Sequence, residues 1–349
     1  MTRRSALHAL LALALCLALA ACGEKEEPGA GAAGTAAKPE PFTLVLDYFP
    51  NADHAGIYAA QAAGEYRRAG LDVKIQAPPD PAAPLKLVKA GRADLAISYE
   101  PELLLARDAG AQNLVSVGAL VQKPLTSLIS LGDKRAIRSP EDLAGKRVGT
   151  AGIPYQSAYL RAILERAGVD PASVKETNVG FNLTPAMLSG RVDATLGSFW
   201  NYEGVDLERR RRDPVVLRME ALGVPTYNEL IFVARTQDLD ERGASRVRRF
   251  LLATARGHQR LREDPGPGLD ALLADNEDLE RGLQEAVVKA TLPVFFPEDR
   301  GKPFGYQEPA DWRAYGEWMQ RNKLLKRPPN AARALTNEFL AGQGLKPSQ

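Results

Sequence analysis

The sequence predicts an α/β protein built from two similar lobes, and three observations lead to this fold class. From residue 42 onward, short apolar runs that suit buried strands alternate with segments of helical periodicity. The same order of elements returns about a hundred residues further along the chain. A long helical tail then follows without strands of its own. The composition, 45% apolar and 25% charged over 349 residues, is that of an ordinary globular protein.

The first 21 residues have the features of a signal peptide. Arg3 and Arg4 precede an apolar run over residues 6–21, which is too short to span a bilayer comfortably. The closing Leu19-Ala-Ala-Cys22 resembles a bacterial lipobox, in which the cysteine is lipidated. A cysteine that falls by chance at the end of an ordinary signal peptide is the alternative. We expect a signal peptide over residues 1–21 and lipidation at Cys22.

Residues 22–41 are expected to form the lipidated cysteine and a flexible tether. Residues 23–41 contain no Val, Ile, Leu or aromatic residue, so they bury too little surface to offset the entropy of ordering. No later segment has the apolar length to cross a bilayer. We therefore expect an extracytoplasmic body that is anchored to a bacterial membrane through lipid.

The first lobe begins with a β-α-β-α-β pattern. Residues 42–47 and 71–75 are predicted strands, and residues 54–69 between them a helix that ends at Gly70. Residues 84–90 form a further predicted helix, followed by a strand over residues 94–98.

The second lobe repeats this pattern. Residues 146–150 and 174–179 are predicted strands, separated by a helix over 155–167 that stops at Gly168. Residues 187–198 then echo residues 88–98 through a shared Gly-Arg-x-Asp. This motif is interpreted as a helix C-cap and a turn into a strand, a structural role. Each lobe is predicted to start with its own parallel sheet.

The helical tail is predicted to complete the first lobe. It follows strands at 215–217 and 230–234, and its helices are predicted at residues 245–263, 268–276, 278–292 and 312–324. The chain then crosses between the lobes near residues 120–132 and 224–230, which allows a hinge and an interlobe cleft. The predicted boundaries are 42–125 with 229–349 for lobe 1 and 126–228 for lobe 2.

Four segments should face this cleft, because ligands of open α/β sheets gather beyond the carboxyl ends of the strands. These segments are residues 47–54, 98–102, 150–156 and 198–203, and none contains Lys or Arg. Aromatic faces and carboxylates suit a flat, neutral or cationic heterocycle with amino groups better than an anion. The alternatives are packing at the core edge for each aromatic residue and a solvated surface charge for Glu203 or Glu229.

The sequence offers no motif for catalysis, metal binding or a cofactor. The phosphate-binding, dinucleotide-binding, nucleophile-elbow and zinc-protease motifs are all absent. His54 is assigned either a capping or packing role or a hydrogen bond to ligand, and His258 is expected to be exposed in the helical tail. The arginine run 209–212 is interpreted as a solvated helix end. A net charge of +2 does not favour nucleic acid as a partner.

Three segments carry a family resemblance. Residues 46–58 (LDYFPNADHAGIY), 199–204 (FWNYEG) and 227–230 (YNEL) resemble the solute-binding lipoproteins of ABC importers. The resemblance covers residues 42–345 and lies within the group of sulfonate binders and thiamine-precursor binders, closest to the latter. It implies a type II periplasmic-binding-protein fold, a two-strand hinge, and a formylaminopyrimidine or hydroxymethylpyrimidine ligand. A riboflavin-like solute or a sulfonate remains the alternative.

The resemblance also implies an ABC permease with its ATPase as partner, a monomer, and a set of site residues. Tyr48 and Trp200 are expected as stacking faces for the ligand. The expected ligand-binding residues are Asp47, Tyr48, Asn51, His54, Tyr99, Glu100, Tyr155, Trp200, Asn201, Glu203, Tyr227 and Glu229.

The same group includes a fungal enzyme that makes the thiamine pyrimidine from its own histidine and pyridoxal phosphate. It resembles this chain through the segment that ends at Gly110. That match sets its cofactor lysine against Ser98 and its sacrificed histidine against Glu102, and its cysteine cluster has no counterpart. We therefore expect a binding protein without enzymatic activity or a cofactor.

Overall fold

A computed structural model describes residues 38–133 and 136–343 of the chain. The predicted signal peptide, Cys22 and the tether as far as residue 37 lie outside the described residues. Within those that are described, no helix is both long enough and apolar enough to cross a bilayer.

The described strands form two five-stranded sheets of the same design. The first sheet has the order β2-β1-β3-β10-β4 and the second β7-β6-β8-β5-β9. The strands are β1 Glu40–Val45, β2 Leu71–Gln76, β3 Leu95–Ser98, β4 Leu114–Val121, β5 Thr126–Leu131, β6 Arg147–Thr150, β7 Lys175–Asn178, β8 Ala194–Phe199, β9 Pro214–Arg218 and β10 Leu230–Arg235. This arrangement confirms the predicted α/β class with two lobes, one around each sheet.

In each sheet the first three strands in the order pair in parallel. The fourth strand runs antiparallel to both of its neighbours. In the first sheet β1 pairs in parallel with β2 and β3, whereas β10 runs antiparallel to both β3 and β4. In the second, β6 pairs in parallel with β7 and β8, and β5 runs antiparallel to β8 and β9. The chain crosses between the sheets between Val121 and Thr126 and returns between Arg218 and Leu230.

The helices pack against both sheets, and most of the predicted ones are present. They are α1 Ala55–Ala62, α2 Glu65–Arg68, α3 Pro84–Lys89, α4 Glu100–Asp108, α5 Pro154–Arg166, α6 Leu183–Leu188, α7 Val205–Arg209, α8 Glu241–Glu263, α9 Gly266–Asp275, α10 Arg281–Phe295, α11 Pro309–Arg321 and α12 Ala331–Ala334. The single helix predicted over 54–69 is divided, because Gly64 adopts a left-handed conformation with φ of 70°. The arginines of the 209–212 run are exposed at the end of α7, as predicted.

The Gly-Arg-x-Asp repeat makes the same contacts in both lobes. The carboxylate of Asp94 accepts the backbone N–H of Thr43 at 2.7 Å, and that of Asp193 accepts the N–H of Arg147 at 2.9 Å. Thr43 lies in the first strand of one sheet and Arg147 in the first parallel strand of the other. The motif therefore ties the strand that it begins to its neighbour, which confirms the structural interpretation.

The prediction that His258 is exposed was wrong. Its side chain is fully buried, its Nδ1 donates to Thr254 O at 2.9 Å, and its ring stacks on Phe304 with centroids 4.3 Å apart. His258 follows Phe250 and Thr254 at intervals of four residues, which places it on the inward face of α8. Burial lowers its pKa to about 4.

Candidate functional site

A small cavity lies between the two lobes, at the edge where the parallel strands of both sheets end. Its volume is about 30 Å³, whereas typical ligand pockets measure roughly 300–1,000 Å³, so the lobes are closely apposed here. The lining residues are Asp47, Tyr48, Phe49, Asn51, Asp53, Tyr99, Ala151, Ile153, Gln156, Leu183, Gly197, Phe199, Tyr202 and Glu203.

Five of the twelve residues that the sequence put forward line this cavity: Asp47, Tyr48, Asn51, Tyr99 and Glu203. The other seven are placed around or behind it. These are His54, Glu100, Tyr155, Trp200, Asn201, Tyr227 and Glu229.

The carboxylate of Asp47, directly after β1, is held from two sides. His54 Nε2 lies 2.9 Å from its Oδ1, and the hydroxyl of Tyr99 donates to its Oδ2 at 2.8 Å. The backbone N–H of Asn51 approaches His54 Nδ1 at 3.2 Å. Since Nδ1 accepts, the ring proton sits on Nε2 and points at Asp47. The His54 ring thus takes part in the capping box with Asn51 and contacts Asp47 at the same time.

Tyr48 and Phe49 form the aromatic side of the cavity together with rings from the opposite lobe. The Tyr48 ring meets Phe181 edge-on at 4.6 Å between centroids, and its hydroxyl donates to Gly180 O at 3.3 Å. Phe49 approaches Tyr202 at 6.2 Å. Aromatic edges and faces therefore close the cleft from both lobes.

Glu203 enters the cavity from an unusual turn. Residues Trp200–Gly204 form a π-helix directly after β8, a form of helix that is frequent at functional sites. The backbone N–H of Phe199 donates to Glu203 Oε2 at 2.7 Å. Burial raises the pKa of Glu203 to about 7.

Asp53 is a second carboxyl group of the lining, fully inside the protein. Its Oδ1 accepts from Asn201 Nδ2 at 2.7 Å, and the hydroxyl of Thr291 lies 3.2 Å away. Burial raises its pKa to about 6, against the lowering effect of the neighbouring His54. Asn201 itself is turned from the cavity toward these partners.

Glu229 lies behind the cavity, where the two crossing segments meet. Its Oε2 accepts the backbone N–H groups of Leu125 and Thr126 at 2.6 and 2.8 Å and the hydroxyl of Tyr227 at 3.0 Å. Its Oε1 accepts from Thr126 Oγ1 at 2.8 Å. Burial raises its pKa to about 7. A single carboxyl group therefore joins the outgoing crossing to the returning one.

The remaining residues that the sequence put forward also make contacts at the two segments where the chain crosses between the lobes. Tyr155 places its hydroxyl 3.1 Å from Thr126 Oγ1, and Glu100 accepts the N–H of Asn228 at 2.8 Å. Trp200 donates through Nε1 to Pro124 O at 3.0 Å, and the Arg218 guanidinium lies 4.1 Å above its ring. The ring expected as a stacking face is thus engaged by a cation outside the cavity.

Sequence reasoning did not single out nine of the lining residues. Most of them, such as Phe49, Gln156 and Tyr202, belong to the four segments that were predicted to face the cleft. The sequence therefore predicted the segments that form the site better than the individual residues in them. Leu183 comes from a fifth segment, after β7. The repeated strand pattern could have indicated this segment, because the parallel strand β7 ends at the same edge of the sheet as β6 and β8.

The charged side chains that line the cavity are all acidic. Three carboxyl groups, those of Asp47, Asp53 and Glu203, are in the lining, and no Lys, Arg or His is among the described residues that form it. In residues 38–133 and 136–343, no group of three or more His, Cys, Asp or Glu side chains is arranged to hold a metal ion. The arrangement can accept N–H bonds from a ligand and contact its flat faces.

The chain is similar in sequence to known proteins. The NMT1/THI5-like family model matches residues 51–267. A formylaminopyrimidine-binding protein of Halalkalibacterium halodurans is 32% identical over 300 residues, 85% of this chain and 90% of the relative. A 4-amino-5-hydroxymethyl-2-methylpyrimidine phosphate synthase of Legionella pneumophila is 28% identical over 305 residues, 85% and 92% of the two chains.

The fold is shared with proteins of lower sequence similarity. The periplasmic aliphatic sulphonate binding protein of Escherichia coli superposes with a TM-score of 0.64 at 17% identity, over 86% of this chain and 99% of that one. This likeness confirms the predicted periplasmic-binding-protein fold. The family match and the relative at 32% identity establish that this chain belongs to the NMT1/THI5-like family.

Proposed function

We propose that this protein is the extracytoplasmic solute-binding component of an ABC importer and captures a thiamine pyrimidine precursor. The ligand is of the formylaminopyrimidine or hydroxymethylpyrimidine type. The observation that carries the proposal is the cavity lining, in which aromatic rings and three carboxyl groups are combined without a cationic side chain. The name of the relative from H. halodurans supports this ligand class.

The carboxyl groups suit the donors of an aminopyrimidine. An exocyclic amino group presents two N–H bonds in the plane of the ring, while the ring faces are apolar. Glu203 and Asp53 supply acceptors, and Tyr48 and Phe49 supply aromatic surface. Residues 42–125 with 229–349 and residues 126–228 act as two bodies that open to admit the ligand and close over it, because the present cavity is too small for a heterocycle.

Calorimetry and thermal unfolding of the purified protein test the ligand class. The panel consists of formylaminopyrimidine, hydroxymethylpyrimidine, thiamine, riboflavin and taurine. A pyrimidine precursor should raise Tm and bind with a measurable Kd, since a ligand that binds only the folded state stabilises it. No response to either pyrimidine, with a response to riboflavin or taurine, would reassign the ligand.

A substitution at Glu203 tests the role of the carboxyl group. Glu203→Gln preserves the shape of the side chain but replaces one acceptor oxygen by a donor, and should weaken binding of the pyrimidine by about 1–3 kcal/mol. Glu208→Gln is the matched control, because Glu208 is exposed on α7 in the same lobe. Equal affinities for the two variants would remove Glu203 from the ligand site.

A sulfonate ligand is the weaker alternative. The structural neighbour from E. coli is named for a sulphonate, but an anion is best held by Arg, Lys or clustered N–H groups. The lining offers carboxyl groups, which repel a sulfonate. Taurine should therefore leave Tm unchanged.

We propose further that the protein is not an enzyme and takes no cofactor, although relatives are named as pyrimidine phosphate synthases. No lysine or histidine is present among the described residues of the cavity lining. Ser98 and Glu102 stand at the positions where the resemblance sets the cofactor lysine and the sacrificed histidine. Mass spectrometry of the pyrimidine after incubation with the protein should recover it unchanged. A new product would establish turnover.

Membrane attachment and delivery to a permease complete the proposal. Cys22 is the proposed lipid attachment site, and the mature protein is proposed to be a monomer at the membrane surface. Metabolic labelling with palmitate should label the protein and leave the Cys22→Ser variant unlabelled. Cells that depend on an external pyrimidine precursor should lose its uptake when the protein is deleted. Uptake that continues unchanged would separate the protein from import.

A further inference from the structure

A buried polar contact joins the two lobes beside the cavity. Asn201 belongs to the π-helix after β8, in the second lobe, whereas Asp53 and Thr291 belong to the first lobe. Asn201 Nδ2 donates to Asp53 Oδ1 at 2.7 Å and to Thr291 Oγ1 at 2.6 Å. All three side chains are buried, with exposed fractions of 0%, 3% and 0% for Asn201, Asp53 and Thr291.

The contact uses both N–H bonds of the Asn201 amide. Its nitrogen has two hydrogens, and each is directed at one of the two acceptors in the opposite lobe. The Thr291 hydroxyl also lies 2.8 Å from Val287 O, within its own helix. Asn201 and Thr291 do not contribute to the cavity lining. The amide is therefore committed to the other lobe and not to a ligand.

We propose that Asn201 is a positioning residue and that Asn201, Asp53 and Thr291 form an interlobe lock. The lock favours the closed arrangement and holds the π-helix so that its next two residues, Tyr202 and Glu203, face the cavity. Asn201 and Thr291 raise ligand affinity without touching the ligand, because neither lines the cavity. The effect on affinity rests on the proposed function, but the effect on lobe separation does not.

The geometry explains why this contact should stabilise the closed arrangement more than other contacts across the cleft do. A hydrogen bond that involves an ionised or partly ionised carboxyl group is stronger than one between neutral groups, and burial strengthens it further. Two other contacts across the cleft are longer, Gln284 Nε2 to Tyr202 OH at 3.3 Å and Tyr48 OH to Gly180 O at 3.3 Å. A further short and buried bond between the lobes joins the hydroxyl groups of Tyr159 and Tyr315, which are both neutral and so form the weaker kind of bond. The ion pair between Arg209 and Glu280 is exposed, so it contributes little.

Distance measurements between two spin labels or fluorophores test the lock without a ligand. The chain has no cysteine after Cys22, so a Cys22→Ser form without residues 1–21 can carry labels at Asn182→Cys and Glu277→Cys. Both positions are exposed, one in each lobe. Asn201→Ala and Thr291→Val should each shift the distance distribution toward separated lobes. Thr291→Ser keeps the hydroxyl and should restore the parent distribution.

Thr254→Val is the matched control. Thr254 is also fully buried in the first lobe, and its hydroxyl likewise bonds a carbonyl four residues earlier, that of Phe250 at 2.9 Å. Its other partner, the Tyr66 hydroxyl at 3.0 Å, lies in the same lobe. This variant loses a comparable bond without crossing the cleft, so it should keep the parent distribution. The lock is overturned if Thr291→Val does not differ from Thr254→Val.

Affinity supplies the second readout. If closure is a prior equilibrium, the apparent Kd rises in proportion to the lost closed population. We expect Asn201→Ala to raise the Kd for formylaminopyrimidine by about tenfold or more, chiefly through faster dissociation. If the lobes separate in Asn201→Ala while the parent protein binds no pyrimidine, that result would support the lock and refute the proposed ligand. Pyrimidine binding by the parent with unchanged lobes in both variants would refute the lock alone.

Discussion

Replacing Glu229 with glutamine should stabilise the protein in a manner that depends on pH. Glu229 is fully buried and its pKa is raised to about 7, whereas a glutamate in an unfolded chain titrates near 4.3. The folded state therefore binds a proton more readily than the unfolded state between these values. The protonated carboxyl group stabilises the fold at low pH, and this stability is lost as pH rises from about 4.3 to about 7.

The magnitude follows from the difference between the two pKa values. Each pKa unit corresponds to about 1.4 kcal/mol, so the loss is roughly 4 kcal/mol once the group is ionised. Glutamine resembles the protonated carboxyl group. Its carbonyl oxygen can accept the N–H groups of Leu125 and Thr126, and its amide can donate to Thr126 Oγ1, whose own proton can turn to Tyr155.

Urea unfolding at pH 4.5, 6 and 8 measures the effect. We expect the free energies of unfolding of Glu229→Gln and the parent to agree at pH 4.5, and the variant to exceed the parent by roughly 4 kcal/mol at pH 8. Asp53, Glu203 and His258 titrate in the same range, but they are present in both proteins and cancel in the difference. A variant that is less stable than the parent by the same amount at all three pH values would refute the reasoning.

Three further substitutions and one control test the packing around the cavity and the contacts of the repeated motif. Gly197→Ala should destabilise the protein by about 2 kcal/mol or more and abolish pyrimidine binding, because Gly197 has φ of 102° and a Cβ there would lie 2.1 Å from Gln156 Nε2. Gly145→Ala, at φ of 71° in open space, controls for backbone strain alone in chemical denaturation and calorimetry. Asp94→Ala and Asp193→Ala should each lower the free energy of unfolding by about 1–2 kcal/mol, since they remove equivalent bonds to Thr43 N and Arg147 N. An effect in one lobe but not the other would show that the two motifs are not equivalent.

The sequence predicted the parallel half of each sheet, and in the antiparallel half it predicted β9 and β10 but not β4 and β5. The strands before and after each short helix are marked by periodicity and by glycine caps. For β4 and β5, by contrast, the sequence predicts only a crossing between the lobes near residues 120–132. Every residue of both strands is buried, so neither shows the alternation that distinguishes a strand from other apolar segments. Their pairing with β10, β8 and β9 depends on contacts far apart in the chain.

The candidate site shows a similar division. Residues next to the strand ends, such as Asp47 and Glu203, were predicted to face the cleft and do line the cavity. Asn201 and Glu229 are also polar and also lie next to strand ends. Their side chains, however, point toward partners that are more than fifty residues away along the chain. Local sequence determines which segments reach the cleft, whereas the direction of a side chain depends on acceptors that only the folded chain brings near. The burial of His258 was not predicted for the same reason, because the ring on which it stacks, Phe304, lies outside its helix and far along the chain.

The absence of a cation among the described residues that line the cavity also has a kinetic consequence. Above about pH 7, Asp53 and Glu203 carry negative charge between low-dielectric walls, which concentrates the electric field at the mouth of the opened cleft. A cationic heterocycle should be drawn in faster than a neutral one of the same size, and this advantage should shrink as added salt shortens the Debye length. The same field slows the approach of phosphorylated forms of such a compound. The protein would thus select the unphosphorylated solute during encounter, before any contact with the lining is made.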